Sequence, residues 1–368
     1  MTQRLLDPKL SSVLLVLVIG ACLASCRPYL KMPSPPIATV TRPAEEQETR
    51  LANIRQLTFK GENAEAYFSN AGYHLIFQAR STEVTDNCDQ IYVMNTYGED
   101  VTLVSTGKGR TTCAYFLEND QRILYASTHL GGDECPAKPE YGGRRYTWPI
   151  FNSYDIFSAN VDGGDLVRLT DSPGYDAEAT VSPDGSLVVF TSNRDGDLEL
   201  YTMKPDGSQQ TRITHTPGYD GGAFFSPDGT KLCFRASRPQ GEDLKRYTDL
   251  LSNQLVEPTN MEIFVVNVDG TDMQQITDNG AANFCPYFHP SGDKILFASN
   301  FHSPKGRRPN FDLFLIDLET RETERVTHHG TFDGFPMFSP DGSKLTWCSN
   351  RFAAKRGDTN VFLADWVE

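Results

Sequence analysis

The chain has 368 residues, of which 39% are apolar and 11% aromatic, and its formal net charge is −14. That length fits one all-β domain, because glycine and proline are frequent enough to supply many short turns. The negative charge argues against nucleic-acid binding by phosphate neutralisation, which needs an excess of lysine and arginine.

Residues 1–25 are predicted to be a lipoprotein signal peptide. Arg4 and Lys9 precede an apolar run over 13–21, which is too short for a convincing bilayer span. The segment 23–26 (Leu-Ala-Ser-Cys) is similar to the bacterial lipobox, in which cleavage precedes an acylated cysteine. Cys26 is therefore the predicted lipidation site. Cys22 is the alternative, and an ordinary cleaved leader with an incidental cysteine is a second one.

Residues 26–52 are rich in proline and then in glutamate, which is typical of a tether. Arg27 follows the predicted anchor, where lipoproteins retained in the inner membrane of enteric bacteria carry aspartate. The sequence thus predicts a bacterial envelope lipoprotein of the outer membrane, facing the periplasm or the surface.

From residue 53 to 368 the sequence predicts a six-bladed β-propeller. The turn Ser-Pro-Asp-Gly occurs at 182–185, 226–229 and 339–342, and looser copies begin at Ser69, Leu117 and His289. Each turn lies between alternating apolar runs, and the unit of 40-odd residues reads as one blade of four antiparallel strands. No segment shows convincing helical periodicity.

The ends of the chain are predicted to close the ring. Each blade ends in a short fourth strand of the type Arg212-Ile213-Thr214, and a spare copy stands at 53–59, before the first blade. The last blade ends at its third strand, within 361–366. We expect the N-terminal strand to complete the last blade and to remove an exposed sheet edge.

Long loops are predicted on one face only. The loops between the second and third strands are 128–153, 236–260, 300–311 and 350–359, whereas the opposite face has tight turns. Long loops on a rigid scaffold are common binding sites. Aromatic and basic residues of the first two loops are the binding-face candidates, namely Tyr141, Arg144, Arg145, Trp148, Lys245, Arg246 and Tyr247.

The start of each innermost strand is predicted to place oxygen-bearing side chains at the channel mouth. Asp176, Asp220 and Asp333 stand six residues before their turns. Three carboxylates together would suit a hard cation, so Ca²⁺ is the candidate cofactor and these residues its candidate ligands. Side chains that hold water or cap backbone amides are the alternative.

Six cysteines follow the leader, and export permits disulfides. Cys88 and Cys113 are the predicted pair, because both open strands on the loop-bearing face of adjacent blades. Cys135 is the competing partner. His215, His328 and His329 fall on the same face, but aspartate replaces histidine at the equivalent positions of other blades, which indicates a polar turn site.

The repeat resembles the TolB-type β-propeller. The resemblance rests on the ending x-Leu-Thr, the aromatic approach to Ser-Pro-Asp-Gly, and the segment 190–201 that follows one such turn. It covers about 53–368 and implies the propeller fold. In this family TolB is a periplasmic protein of the Tol–Pal system that binds a peptidoglycan-associated lipoprotein, and the resemblance implies a lipid-anchored relative.

The leading functional hypothesis is a binding scaffold, acting as a monomer, whose loop-bearing face meets an envelope protein or a glycan ligand. No catalytic residue is assigned. The alternative is a carbohydrate lyase or hydrolase at the channel mouth, using Asp176, Asp220, Asp333 and nearby histidines. A calcium-stabilised structural protein of the envelope is the third hypothesis.

Overall fold

The fold is a ring of six antiparallel sheets, as predicted. The structure is a computed structural model that describes residues 39–81, 88–140, 145–258, 260–304 and 309–368. The predicted leader, Cys26, Tyr141 and Arg144 lie outside the described residues.

Two short strands precede the first blade, and the first three blades follow in chain order. The two short strands are β1 (Val40–Thr41) and β2 (Leu51–Gln56). Blade 1 contains β3 (Glu62–Phe68), β4 (His74–Arg80), β5 (Gln90–Asn95) and β6 (Thr102–Leu103), and blade 2 contains β7 (Thr111–Leu117), β8 (Arg122–Ser127), β9 (Trp148–Pro149), β10 (Asp155–Asn160) and β11 (Val167–Arg168). Blade 3 contains β12 (Asp176–Val181), β13 (Val188–Ser192), β14 (Glu199–Met203) and β15 (Thr211–Arg212).

Blades 4 to 6 complete the ring. Their elements are β16 (Asp220–Phe225), β17 (Lys231–Ala236), α1 (Gly241–Ser252), β18 (Leu255–Val256), β19 (Glu262–Asn267) and β20 (Gln274–Gln275), then β21 (Asn283–Phe288), β22 (Lys294–Ser299), β23 (Asp312–Asp317) and β24 (Thr323–Arg325), and finally β25 (Asp333–Phe338), β26 (Lys344–Ser349) and β27 (Asn360–Trp366). The strand closest to the axis in each blade, here called strand a, is β3, β7, β12, β16, β21 or β25.

The N-terminal strand closes the ring, which confirms the prediction. β2 pairs with β27, and β1 adds a fifth strand outside it. The Val361 amide donates to Thr58 Oγ1 at 2.9 Å. The same amide-to-threonine bond fixes the fourth strand in other blades, through Thr170, Thr214, Thr277 and Thr327. β2 begins at Leu51, two residues before the predicted strand, and with β1 it starts inside the segment predicted to be a tether.

The repeated turns lie on the face opposite the long loops, here called the plain face, and several neighbouring turns are in contact. In each Ser-Pro-Asp-Gly copy the serine hydroxyl donates to the aspartate, at 2.6 Å for Ser182 and Asp184. That bond, with those from Ser186, lowers the pKa of Asp184 to about 2. The glycine has a φ of +72° at Gly185 and supplies the left-handed residue of the turn. A Cβ added at Gly229 would lie 3.7 Å from Pro183 of the preceding blade, so neighbouring turns are in contact.

Apolar side chains from facing blades form the core. Leu124 and Ile156 of blade 2, for example, belong to one buried cluster with Val188 and Phe190 of blade 3. All five residues of β13 and of β14 are buried, because each of these inner strands has a neighbouring blade on both faces. The core therefore lies between blades, and one of its clusters also reaches the axis through Tyr67 and Phe224.

One helix departs from the all-β prediction. α1 occupies the insertion of blade 4, with Glu242 and Asp243 in its first turn, where carboxylates favour a helix N-terminus. Tyr247 and Leu250 are its buried residues. Their spacing is helical, but it covers only one side of a 12-residue segment within a predicted loop.

The mouth of the central channel as a candidate binding site

The insertions of blades 2 and 4 join into one structure over the loop-bearing face. β9 pairs with β18, with Trp148 opposite Val256, and the Ile150 amide donates to the Gln254 carbonyl at 2.9 Å. We call β9, α1, β18 and the described residues that connect them to the blades the cap. The sequence predicted two separate loops, and the structure shows a two-stranded sheet with a helix on it.

Polar bonds and a disulfide hold the cap in place. Tyr247 is buried, and its hydroxyl donates to Asp197 of blade 3. Glu257 accepts from Arg145 at 3.0 Å and from Arg246 at 2.6 Å. Of the predicted binding-face residues, Tyr247 and Arg246 thus position the cap, whereas Lys245 is exposed and pairs with Asp249 on the same helix.

The cysteine pairing differs from the prediction. Cys88 is bonded to Cys135 at a Cα–Cα distance of 5.6 Å, and Cys113 is free. The reason is local backbone geometry. Cys113 has a φ of +50° at an irregularity of strand a, and its side chain lines the channel instead of facing blade 1. The competing partner named from the sequence, Cys135, forms the bond and ties the cap to blade 1.

Every strand a contains a β-bulge at the same repeat position. The register shifts within all six of these strands, and the residue four positions before the turn has a positive φ between 50° and 61°. A bulge re-aims the side chain it carries. The six residues, here called the bulge ring, are Glu65, Cys113, Glu178, Gly222, Cys285 and Phe335.

Below the bulge ring, aromatic side chains fill the axis. The ring centroids of Tyr67 in blade 1 and Phe224 in blade 4 are 5.4 Å apart, although these blades face each other across the ring. Tyr115 and Tyr287 contact Phe224 from the blades between, with centroids at 6.3 Å and 5.2 Å. These rings give the channel mouth an aromatic floor.

Above this floor is a cavity of about 920 Å³. One wall is mainly aromatic and comes from the cap and from blades 5 and 6, with Trp148, Phe284, Phe311, Phe332 and Phe335. The other wall is mainly polar and comes from blades 1 to 3, with Glu65, Gln78, Asp89, Arg110, Thr112 and Glu178. An apolar cavity with a few convergent polar groups is the usual form of a ligand site.

A buried ion pair occupies the centre of this site. Arg235 on β17 binds the Glu178 carboxylate and the Tyr219 hydroxyl. A Cβ at Gly222 would lie 2.0 Å from Arg235 Nη1, so the missing side chain in the bulge ring makes the space that the guanidinium occupies. Burial alone would lower the pKa of Arg235, but the neighbouring Glu178 raises it well above the usual value.

Glu65 is the other carboxyl of the bulge ring. Burial raises its pKa to about 7, against the lowering effect of a hydrogen bond with the Cys113 thiol. Burial likewise raises the pKa of Cys113, which keeps this sulfur in its thiol form. Glu65 is thus a half-buried carboxyl that faces a cavity and exchanges its proton near neutral pH.

The carboxylates nominated as Ca²⁺ ligands lie at the starts of strands a, as predicted, but each is paired with an arginine. Arg194, Arg238 and Arg351 bind Asp176, Asp220 and Asp333, and in each case the arginine follows its partner by 18 residues. None of the three carboxylates lines the cavity. Among the described residues, no three His, Cys, Asp or Glu side chains are placed to hold a metal ion.

The histidines of the loop-bearing face are also kept out of the cavity. His302 Nε2 lies 2.6 Å from Asp312 Oδ2, and burial lowers the pKa of His302 to about 4. His329 contacts Thr331 at 2.8 Å, and the His328 amide donates to Glu48. Neither the three mouth aspartates nor these histidines line the cavity.

Sequence reasoning missed the bulge ring, although a signal was present. The position four residues before each turn carries Glu, Cys, Glu, Gly, Cys and Phe, in contrast to the repetitive positions around it. The position six residues before the turn carries similar side chains in several blades, and this similarity reflects the aspartate–arginine ion pair that blades 3, 4 and 6 repeat.

Comparison with known proteins agrees with this architecture. Residues 151–246 match the TolB beta propeller domain. These residues comprise blade 3 and parts of blades 2 and 4. An uncharacterised protein of Agrobacterium fabrum is 30% identical over 146 residues, which is 40% of this chain and 28% of that protein. The matched part is thus less than a third of the relative.

Solved structures of propeller proteins resemble this chain along most of its length. A TolB candidate from Agrobacterium tumefaciens superposes with a TM-score of 0.53 at 20% identity, covering 84% of this chain and 91% of that one. A gluconolactonase from Xanthomonas campestris superposes with a TM-score of 0.56 at 14% identity, covering 93% and 99%. At these identities the likeness shows the fold. In the part of the chain that the structure describes, no helix has the length and apolarity to cross a bilayer.

Proposed function

We propose that the protein is a binding scaffold of the bacterial envelope, which takes a protein segment or a glycan into the cavity beneath its cap. The observation that carries this proposal is the one-sided construction of the molecule. The cap, its disulfide and the 920 Å³ cavity all lie at the loop-bearing mouth, whereas the opposite face is built of short repeated turns.

The residues behind the alternative, a lyase or hydrolase, do not support it. Asp176, Asp220 and Asp333 each have an arginine partner, and the histidines pair elsewhere. A general acid or base must reach the reacting atoms, and these groups do not line the cavity. Binding needs only the shape and chemistry that the cavity offers.

The test blocks the cavity without disturbing the blades. Ala281 is half-buried and lines the cavity, so Ala281→Trp places a large side chain inside it. Lys204→Trp, on an exposed turn of the plain face, is the matched control. We expect partners captured from envelope extracts by the wild type to be retained by the Lys204 variant and lost by the Ala281 variant. The same partners on all three proteins would contradict a role for the cavity.

The membrane anchor is a separate part of the proposal. We infer that residues 1–25 are removed, that Cys26 is acylated, and that 26–52 links this anchor to the propeller, on the strength of the lipobox-like sequence. A clickable fatty acid should label the wild type and fail to label Cys26→Ser. Labelling that persists in this variant would remove the anchor, while leaving the binding function open to its own test.

A further inference from the structure

Among the residues that the structure describes, the charged groups lining the cavity leave one carboxyl without a cationic partner. Of the four acidic residues that line it, Asp89 pairs with Arg110 at 2.7 Å, Glu178 with Arg235, and Glu257 with Arg145 at 3.0 Å. Glu65 makes no ion pair with any residue that the structure describes, and its neighbour is the thiol of Cys113. Among the described acidic residues that line the cavity, Glu65 is therefore the one available as a counter-ion for a bound cation.

The backbone directs this carboxyl towards the axis. Glu65 has a φ of +54° within the bulge of β3, so its side chain projects into the cavity, where Cys113 and Glu178 occupy the same position in blades 2 and 3. The charged groups nearest to it are Glu178, Arg235 and Asp89. Arg235 is already bound by Glu178 and Tyr219, so no basic group of the protein is left for Glu65 among these neighbours.

The opposite wall of the cavity suits a cation with an apolar body. The Arg235 guanidinium lies 5.8 Å from the ring of Trp148, 5.2 Å from Tyr219 and 5.8 Å from Phe284. Aromatic faces attract cations at such distances, and the attraction increases where water is excluded. The wall that accommodates this guanidinium extends to Phe311, Phe332 and Phe335, and these rings have no cation on them among the described residues.

We propose that the cavity takes a ligand bearing an organic cation, an amine or a guanidinium, on an apolar body, with Glu65 as its counter-ion and the aromatic wall around the body. This inference rests on the proposed binding function and narrows it. It selects basic ligands, such as a basic peptide segment, over anionic ones, because Arg110, Arg145 and Arg235 are each already paired with a carboxylate.

The test compares three probes of nearly equal shape and different charge, namely phenethylamine, phenethyl alcohol and hydrocinnamate. Binding to the full chain is measured by calorimetry or ligand-observed NMR at about pH 8, where Glu65 is ionised. We expect the amine to bind at least about tenfold more tightly than the alcohol, and the anion to bind most weakly. In Glu65→Gln the amine and the alcohol should bind equally.

Two controls keep the result unambiguous. Glu118→Gln removes an exposed carboxylate on the plain face and should retain the preference for the amine. The melting temperature of Glu65→Gln establishes that this isosteric variant is folded. A preference that survives in Glu65→Gln, equal binding of amine and alcohol to the wild type, or no binding of the amine would each overturn the proposal.

The inference and the binding function fail in different ways. If Ala281→Trp loses the captured partners while Glu65→Gln keeps them at unchanged affinity, the scaffold function stands and the cationic ligand is wrong. If Ala281→Trp keeps them, the cavity is not the binding site and both proposals fall.

Discussion

Two positions of strand a, two residues apart, place carboxylates at the channel mouth and use them differently. The first position carries Asp176, Asp220 and Asp333, and each binds an arginine of its own blade 18 residues later. The second position is the bulge ring, where Glu65 and Glu178 project towards the axis and the other blades carry different residues. The aspartate that recurs together with its arginine partner stabilises the blades, and we call these ion pairs the framework pairs. The bulge ring, whose residue changes from blade to blade, lines the candidate binding site.

The largest loss of stability should follow from removing Arg351, which joins the framework pair of blade 6 to a second carboxylate. Arg351 is 1% exposed and binds two fully buried carboxylates, Asp333 and Glu48. Burial would raise the pKa of Glu48, but Arg351 outweighs it and holds that pKa below the usual value. Arg351→Met would leave both carboxylates buried and unpaired, at a loss of about 3–5 kcal/mol of unfolding free energy at neutral pH.

Urea denaturation measures this loss, and Arg194→Met is the matched control in blade 3. Arg194 is 17% exposed and has one carboxylate partner, so its removal should cost much less. Similar losses in the two variants would show that the full burial of Arg351 and its second carboxylate partner add nothing to the unfolding free energy.

The next largest effect is expected in the bulge ring, where a substitution should stabilise the protein instead of destabilising it. The pKa of Glu65 is about 7 in the folded protein against an ordinary 4.5, so the folded state loses stability as the pH rises from about 4.5 to 7. Glu65→Gln removes that loss and should stabilise the protein by about 1–3 kcal/mol at pH 8, with no gain at pH 4. Thermal unfolding across this pH range tests the prediction, and a pH-independent gain would contradict it.

A smaller loss should follow from filling the gap in the bulge ring. Gly222→Ala places a Cβ against Arg235 and disturbs its bond to Glu178, at about 2 kcal/mol. Gly185→Ala is the control, because it has a similar positive φ and no atom within 4 Å of the added carbon. That variant should show only the backbone strain of about 1 kcal/mol. Equal losses in urea denaturation would mean that the contact with Arg235 is unimportant.

The smallest loss of stability should follow from weakening the Asp176–Arg194 pair, which is more exposed to solvent. Asp176→Asn keeps the shape of the side chain, and Arg194 retains its bonds to Ser192 and Gln210. We expect a loss of about 1 kcal/mol in urea denaturation. Asp206→Asn, at an exposed turn, should be neutral. A loss as large as that of Arg351→Met would contradict the prediction that the ion pair of blade 3 stabilises the protein less than that of blade 6.

The fold was predictable because its signals are local and repeated. The Ser-Pro-Asp-Gly turn specifies a hairpin through the chemistry of four residues, and the spare strand before blade 1 indicated the closure. The cap was not predictable in the same way. Trp148 pairs with Val256 across about a hundred residues of sequence, and nothing local to either segment specifies that contact.

The site was only partly predictable. The face and Trp148 were identified from loop lengths and composition, and Trp148 does line the cavity. The arginine partners of the mouth aspartates have a sequence signal as well, because an arginine stands 18 residues after the aspartate in blades 3, 4 and 6. The direction of the Glu65 and Cys113 side chains depends on a bulge, and the variable residues at this repeat position mark it in the sequence without giving that direction.

The closure by β2 and β27 has a consequence for the order in which the chain can fold. These partners are separated by about three hundred residues, so β2 leaves the ribosome long before β27 exists. Blades 1 to 5 consist of strands close together in sequence and can assemble as they are synthesised, but blade 6 has to wait. Until the last sheet is complete the waiting strand has an open edge, which is a site for unwanted pairing with other chains.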